Sequence, residues 1–211
     1  MKITHYLLFL LLFSVASPGF SQMTIVTKVA GLLHHPTYVD IFYTYQTERQ
    51  EAGIGLALAF RKALDPHFAM GTEFGFNTFN TQVEITSGLP TIRGNHSYQQ
   101  MYVAFIPHYS LLKKRDWLFI NAGFAIFVNT KSELYSPFGG NVPMNIGNAT
   151  TSILGGIGTN LHTGNIGLQL EIRSNFQSAA PGSEIYNGQR PEKFNLYYTS
   201  ISGGLTYHFG K

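Results

Sequence analysis

The sequence predicts an all-β protein, an eight-stranded antiparallel transmembrane β-barrel behind a cleavable signal peptide, on three observations. Only 12% of its 211 residues are charged, about half the share found in an ordinary soluble domain. Aromatic residues make up 14% of the chain and 22 residues are glycine, a composition that suits β-structure in apolar surroundings. Apolar residues alternate with small or polar ones at period two through most of the chain, the pattern of strands whose two faces meet different environments.

Several classes of function are excluded at once. The chain has no Cys, so it has no disulfide framework, no thiolate metal site and no cysteine nucleophile. Its net charge of +3 includes no basic run longer than Lys113, Lys114, Arg115, and nucleic-acid binding needs a basic face to neutralise phosphates. No cofactor is implied.

The elements follow in order. Residues 1–21 read as a signal peptide: Lys2, an apolar run from Tyr6 to Phe13, then Ser17, Pro18 and Gly19. Gly19 and Ser21 supply the small residues that precede a cleavage site, which is expected after Ser21. The apolar run is far shorter than the ~20 residues of a membrane-spanning helix, and no later segment supplies one, so a membrane form of this chain must be a closed barrel. Residues 22–37 are expected as a lead-in and 38–211 as the barrel domain. Within the lead-in, Met23 to Pro36 stays open between an extra strand, an approach to the first strand and a periplasmic tail.

Eight strands are expected at Tyr38 to Thr47, Ala52 to Arg61, His67 to Thr78, Tyr98 to Leu111, Trp117 to Thr130, Thr150 to His162, Ile166 to Arg173 and Asn195 to Phe209. The alternation is clearest where Ile166, Leu168, Leu170 and Ile172 interleave with Gly167, Gln169, Glu171 and Arg173. Short turns at Ala63 to Pro66, Leu112 to Asp116 and Thr163 to Asn165 alternate with loops of nearly twenty residues rich in Gly, Pro, Asn and Ser. In outer-membrane barrels short turns face the periplasm and long loops face outward. The connection through Glu48, Arg49 and Gln50 is the exception, outward by count yet short.

Alternation alone leaves open which face points out, since a secreted lipocalin-like binding barrel puts its apolar face inside. Here the second face is largely Gly, Ala, Ser, Asn and Gln with isolated charges, which suits a narrow lumen better than a water-facing surface. The apolar face is then the one that meets lipid.

The last strand adds a resemblance. Gly204, Leu205, Thr206, Tyr207, His208, Phe209 resembles the assembly signal of outer-membrane proteins, with Gly204, Tyr207 and Phe209 as its marks, although Gly210 and Lys211 follow the terminal aromatic. With the leader and the strand plan, the chain resembles the small outer-membrane β-barrel proteins of the PorT-like and OmpX/OmpA-barrel type. The resemblance implies insertion by the barrel-assembly machinery and residence in the bacterial outer membrane. It does not imply a role, because fold does not fix function.

The charges expected to face inward are Arg61, Glu73, Glu171 and Arg173, with Gln169, Asn121 and Tyr102 completing a lumen polar network. A charge on the lipid face would cost ~2–4 kcal/mol, whereas inside it finds partners. His108 and Ser110 share a face and resemble the His-x-Ser dyad of barrel-embedded lipid A deacylases, which would make them base and nucleophile. Their place beside the Leu112 to Asp116 turn, near the inner leaflet, and the missing surrounding motif weigh against that. His34 and His35 lack a third ligand at metal spacing, so no metal is expected. The reading is a monomeric, non-enzymatic barrel with outer-membrane lipid and lipopolysaccharide as its surroundings. Its exterior loops, through Tyr135, Phe138 and Tyr186, would contact an unknown exterior ligand.

Overall fold

The computed structural model describes residues 23–39, 44–50, 52–86, 92–112, 117–136, 140–143, 149–178 and 193–209. Ten strands run in chain order: β1 (Met23–Val39), β2 (Thr44–Gln50), β3 (Gly53–Ala63), β4 (Phe68–Thr86), β5 (Ile92–Ser110), β6 (Phe119–Ser136), β7 (Gly140–Pro143), β8 (Ala149–Thr163), β9 (Ile166–Ser178) and β10 (Lys193–His208). They occupy eight positions in a closed wall. β1 pairs with β3, β3 with β4, β4 with β5, β5 with β6, β6 with β8, β8 with β9, β9 with β10, and β10 returns to β1, every pair antiparallel. β2 continues the position of β3 along β4, and β7 continues that of β8 along β6. The closed ladder pairs backbone groups all round the wall among the described residues, which is what a bilayer requires of a strand.

Several boundaries differ from the sequence expectation, and β4, β5, β6 and β7 extend into stretches expected as long loops, because neighbouring strands there pair with one another past the membrane. Met23–Val39 is the first wall strand, paired on one side with β10 from Thr24↔His208 and on the other with β3 from Met23↔Lys62. The barrel therefore starts at Met23 and not at Tyr38. Glu48, Arg49 and Gln50 are not a connection but part of β2, with a register irregularity between Thr47 and Arg49. The segments expected as the first and second strands thus share one wall position, and the short outward connection disappears. The total of eight stands because the N-terminal segment supplies the missing strand. Its alternation was masked because Thr27 and Gly31 interrupt the apolar face. At the other side of the wall, β6 begins at Phe119, two residues after Trp117.

Short turns gather at one end. Asp65 holds the β3–β4 turn by accepting from the backbone N–H groups of His67 (2.7 Å) and Phe68 (2.8 Å). Gly164 takes φ 63° in the β8–β9 turn, a conformation for which a Cβ is costly. At the same end the start of β1 meets the segment after β10, with Phe209 N–H donating to the Met23 carbonyl at 2.8 Å. At the other end β4 and β5 run 19 residues each and β6 runs 18, well beyond the ~9–11 residues that cross a bilayer. The sheet therefore projects past the membrane on that side. Residues 1–22, including the expected signal peptide, lie outside the described residues, as do Phe138 and Tyr186.

Candidate functional site

Alternation sends every second side chain of each strand into the lumen, and the two faces could hardly differ more. Outward stand Val29, Leu33, Ile54, Leu56, Ile153, Leu168, Leu170, Ile172, Ile201 and Leu205, all at least half exposed. Inward stand Lys28, Glu73, Asn121, Gln169, Glu171, Arg173 and Asn175, all buried. A water-soluble barrel cannot carry this inversion, because a continuous apolar belt would face water while ionised groups lay inside. It is a transmembrane barrel. Tyr109, Trp117, Tyr207 and Phe209 expose their rings at the short-turn end, where aromatic side chains mark the membrane interface.

The centre of the lumen is an ion quartet drawn from three strands. Lys28 of β1 donates to Glu73 Oε2 at 2.6 Å and to Glu171 Oε2 at 2.7 Å. Arg173 of β9 reaches across to Glu73 of β4 with two prongs, at 2.7 and 3.1 Å, and donates through Nε to Glu171 Oε1 at 2.8 Å. Three neutral donors complete the set: Tyr102 to Glu73 Oε1 (2.7 Å), Asn121 to Glu171 Oε1 (2.7 Å) and Gln169 to Glu171 Oε2 (2.8 Å). A carboxylate offers about four acceptor positions, and each of these two receives four donor groups or prongs. Neither carboxylate has a lone pair left to take a proton from a substrate. The arrangement is a structural core and not an acid–base pair.

Of the residues expected in this network, Glu73, Glu171, Arg173, Gln169, Asn121 and Tyr102 meet through these bonds. Arg61 is buried in the lumen with its guanidinium 5.4 Å from the centre of the Phe119 ring. The second cation between the carboxylates is Lys28, which the sequence reading left in the undecided segment. The signal for it was present: Val26, Lys28, Ala30, Leu32 and His34 form one face of a strand, and a lysine inside a lumen needs an acid.

Outward of the quartet the lumen is filled by rings. Phe79 stacks on Tyr98 (4.7 Å between ring centres) and meets Tyr198 edge-on (5.4 Å), while Tyr102 lies against Phe127 (5.1 Å). Leu32, Leu154 and Leu196 close the gaps. Above them His34 bonds to Thr81 and Gln177 to Thr150. The space beside Lys28, Asn77, Arg173 and Tyr198 measures about 30 Å³, room for a water molecule or so and no larger solute.

The remaining expected residues fall elsewhere. His108 and Ser110 are buried on the lumen face at the short-turn end, His108 opposite Asn121 and 5.3 Å from the Phe119 ring. They do not open to the lipid face, where an acylated substrate would lie. His34 is buried and bonds to Thr81, and the side chain of His35 lies outside the described residues. Gly204 has a packing reason: a Cβ there would lie 2.4 Å from the Thr27 carbonyl oxygen across the β1–β10 seam. Tyr207 and Phe209 form an edge-on pair at 4.8 Å. Tyr135 lies in β6, its backbone between Asn95 of β5 and Asn141 of β7.

No family model matches the chain, and no curated protein matches it. Among solved structures it is similar to Neisserial surface protein A, with 11% identity, coverage of 89% of this chain and 97% of that one, and a TM-score of 0.48. It is also similar to Ail, the attachment invasion locus protein of Yersinia pestis, with 12% identity, 89% and 99% coverage and a TM-score of 0.45. The outer-membrane protease OmpT of Escherichia coli follows with 10% identity, 90% and 94% coverage and a TM-score of 0.38.

Proposed function

We propose that the chain is a non-enzymatic integral protein of the bacterial outer membrane, exported through the cleaved leader 1–21, and that its work is done by the outward end of the barrel and not by its lumen. The supporting observation is the filled interior. The ion quartet and the ring layer above it occupy the cross-section, and an eight-stranded barrel has no spare width for a channel beside them. What varies in such a protein is the end that rises above the membrane, and here the β4–β5 hairpin and the β6–β7 pair form a sheet extension for surface interaction or envelope structure.

Purified protein in planar bilayers tests the first half, and the expected result is no ion conductance above the bare membrane. Steady conductance from the unaltered barrel overturns the reading. For the second half, a variant shortened between Thr81 and Ser97 keeps the barrel's heat-modifiable migration but loses whatever surface binding the cells show. Binding that survives in that variant would place the interaction elsewhere.

A further inference from the structure

The short-turn mouth of the lumen holds a second group of side chains that the quartet does not use. His162 lies near the end of β8 and His208 ends β10, and alternation from buried Asn160 and Thr206 turns both toward the lumen. Between those strands β9 presents Gly167, which pairs with His162 on one side and with Thr206 on the other. A Cβ at Gly167 would stand 2.6 Å from Thr206 Oγ1 and 2.8 Å from His162 Cβ. With no side chain there, the two imidazoles meet over β9, their ring centres 5.4 Å apart and their planes at 59°.

We propose that His162 and His208 form a two-imidazole site for a borderline divalent transition metal such as Zn²⁺ or Cu²⁺. The spacing leaves room for a shared ion. Imidazole nitrogens bind zinc at ~2.0–2.1 Å with tetrahedral angles, which puts two ligating ring centres about 5 Å apart. The ring of His208 is also oriented as a ligand's ring is, because Thr24 Oγ1 lies 2.9 Å from its Nδ1. A partner on one ring nitrogen fixes the tautomer and directs the other nitrogen to the metal, so His208 coordinates through Nε2. On the other ring, His162 Nδ1 is buried and makes no hydrogen bond among the described residues.

The chemistry of the donors selects the ion. Imidazole suits Zn, Cu and Ni, while Mg and Ca want oxygen ligands. Among the described residues no third His, Cys, Asp or Glu joins the pair. Water then fills the remaining positions, and the ion exchanges more readily than one in a closed four-ligand structural site. Bound there, it ties β8 to β10 beside the seam where β10 meets β1, and by mass action it stabilises the closed barrel.

The test is calorimetric titration of the full chain, purified in detergent without a histidine tag, with ZnCl₂ and with CuCl₂. The expected result is one ion per barrel, lost in His162→Ala, weakened about 10- to 100-fold in Thr24→Val, and unchanged in His67→Ala. The bound Cu²⁺ should show hyperfine coupling to two nitrogens in its electron paramagnetic resonance spectrum. His208 sits in the terminal strand, where replacement can stop assembly, so His162→Ala carries the test and its unboiled gel migration confirms that the barrel is closed. No binding at millimolar metal, or binding that persists in His162→Ala, overturns the proposal.

Discussion

Arg173 and Glu73, 100 residues apart in sequence, face each other across the lumen in a two-pronged ion pair at 2.7 and 3.1 Å, both nearly fully buried. Removing one partner strands the other in a medium where an unpaired charge is expensive. Arg173→Met is expected to cost about 3–5 kcal/mol, and Glu73→Gln a similar amount. The double variant Glu73→Gln/Arg173→Met should cost less than the sum of the two, since neither leftover charge remains unmatched. Urea unfolding in detergent micelles, followed by the Trp117 fluorescence, measures all three. Strict additivity would show that the pair is not coupled in solution.

Gly75 and Gly31 separate a packing glycine from an indifferent one. A Cβ on Gly75 would stand 2.3 Å from two ring atoms of Tyr102, whereas one on Gly31 would meet nothing within 4 Å. Gly75→Ala therefore displaces Tyr102 and its bond to Glu73, at a cost of about 1–3 kcal/mol. Gly31→Ala should leave the unfolding midpoint unchanged or slightly raised. The same urea titration distinguishes them.

The depth of the lipid belt can be read by moving one charge along β9. Leu170 and Ile166 both point outward and are more than half exposed, but Ile166 begins the strand beside the β8–β9 turn while Leu170 lies further into the wall. Leu170→Arg is expected to cost about 2–4 kcal/mol and Ile166→Arg about 0–1 kcal/mol. Refolding yield into lipid vesicles, scored by unboiled gel migration, should rank the unaltered chain and Ile166→Arg well above Leu170→Arg. Equal yields would contradict the placement of the membrane.

Asp65 offers a pH test outside the membrane. Its carboxylate accepts the backbone N–H groups of His67 and Phe68, which hold its pKa below the usual range. A group whose folded pKa is depressed contributes stability that is present above its unfolded pKa and lost as pH falls through the folded value. Asp65→Ala should therefore be less stable than the unaltered chain at pH 7, with the difference closing as pH drops below about 4. Unfolding midpoints at a series of pH values check this, and a gap that stays constant would remove the ionised carboxylate from the account.

Much of this architecture was legible in the chain because a membrane barrel writes its two faces in alternation. β9 shows it most plainly: Ile166, Leu168, Leu170 and Ile172 outward, Gly167, Gln169, Glu171 and Arg173 inward. The N-terminal strand was harder to read because Thr27 and Gly31 stand on its lipid face and Lys28 on the other, so neither face looks uniform. The β2–β3 position misled for a related reason, since Glu48, Arg49 and Gln50 look like a loop when read singly and form a strand only because β4 runs long enough to pair with them. In the lumen the carboxylates and Arg173 were readable as inward charges, but which cation stands between them depends on register across β1, β3 and β4. The pairing of His162 with His208 needed the structure as well, because the residues are 46 apart and meet only through the gap left by Gly167.

The quartet also bears on the order in which such a wall is built. Lys28 and Glu73 come from the first half of the chain, Glu171 and Arg173 from a single strand near its end. Each set is one cation and one anion, already within reach of each other before the two halves meet. The late strand thus carries Glu171 and Arg173 as a neutral couple, while the early strands carry Lys28 and Glu73 together with a further lumen cation, Arg61. The crossed bonds, Lys28 to Glu171 and Arg173 to Glu73, join the early and late strands across the lumen, so these ion pairs hold the closed state.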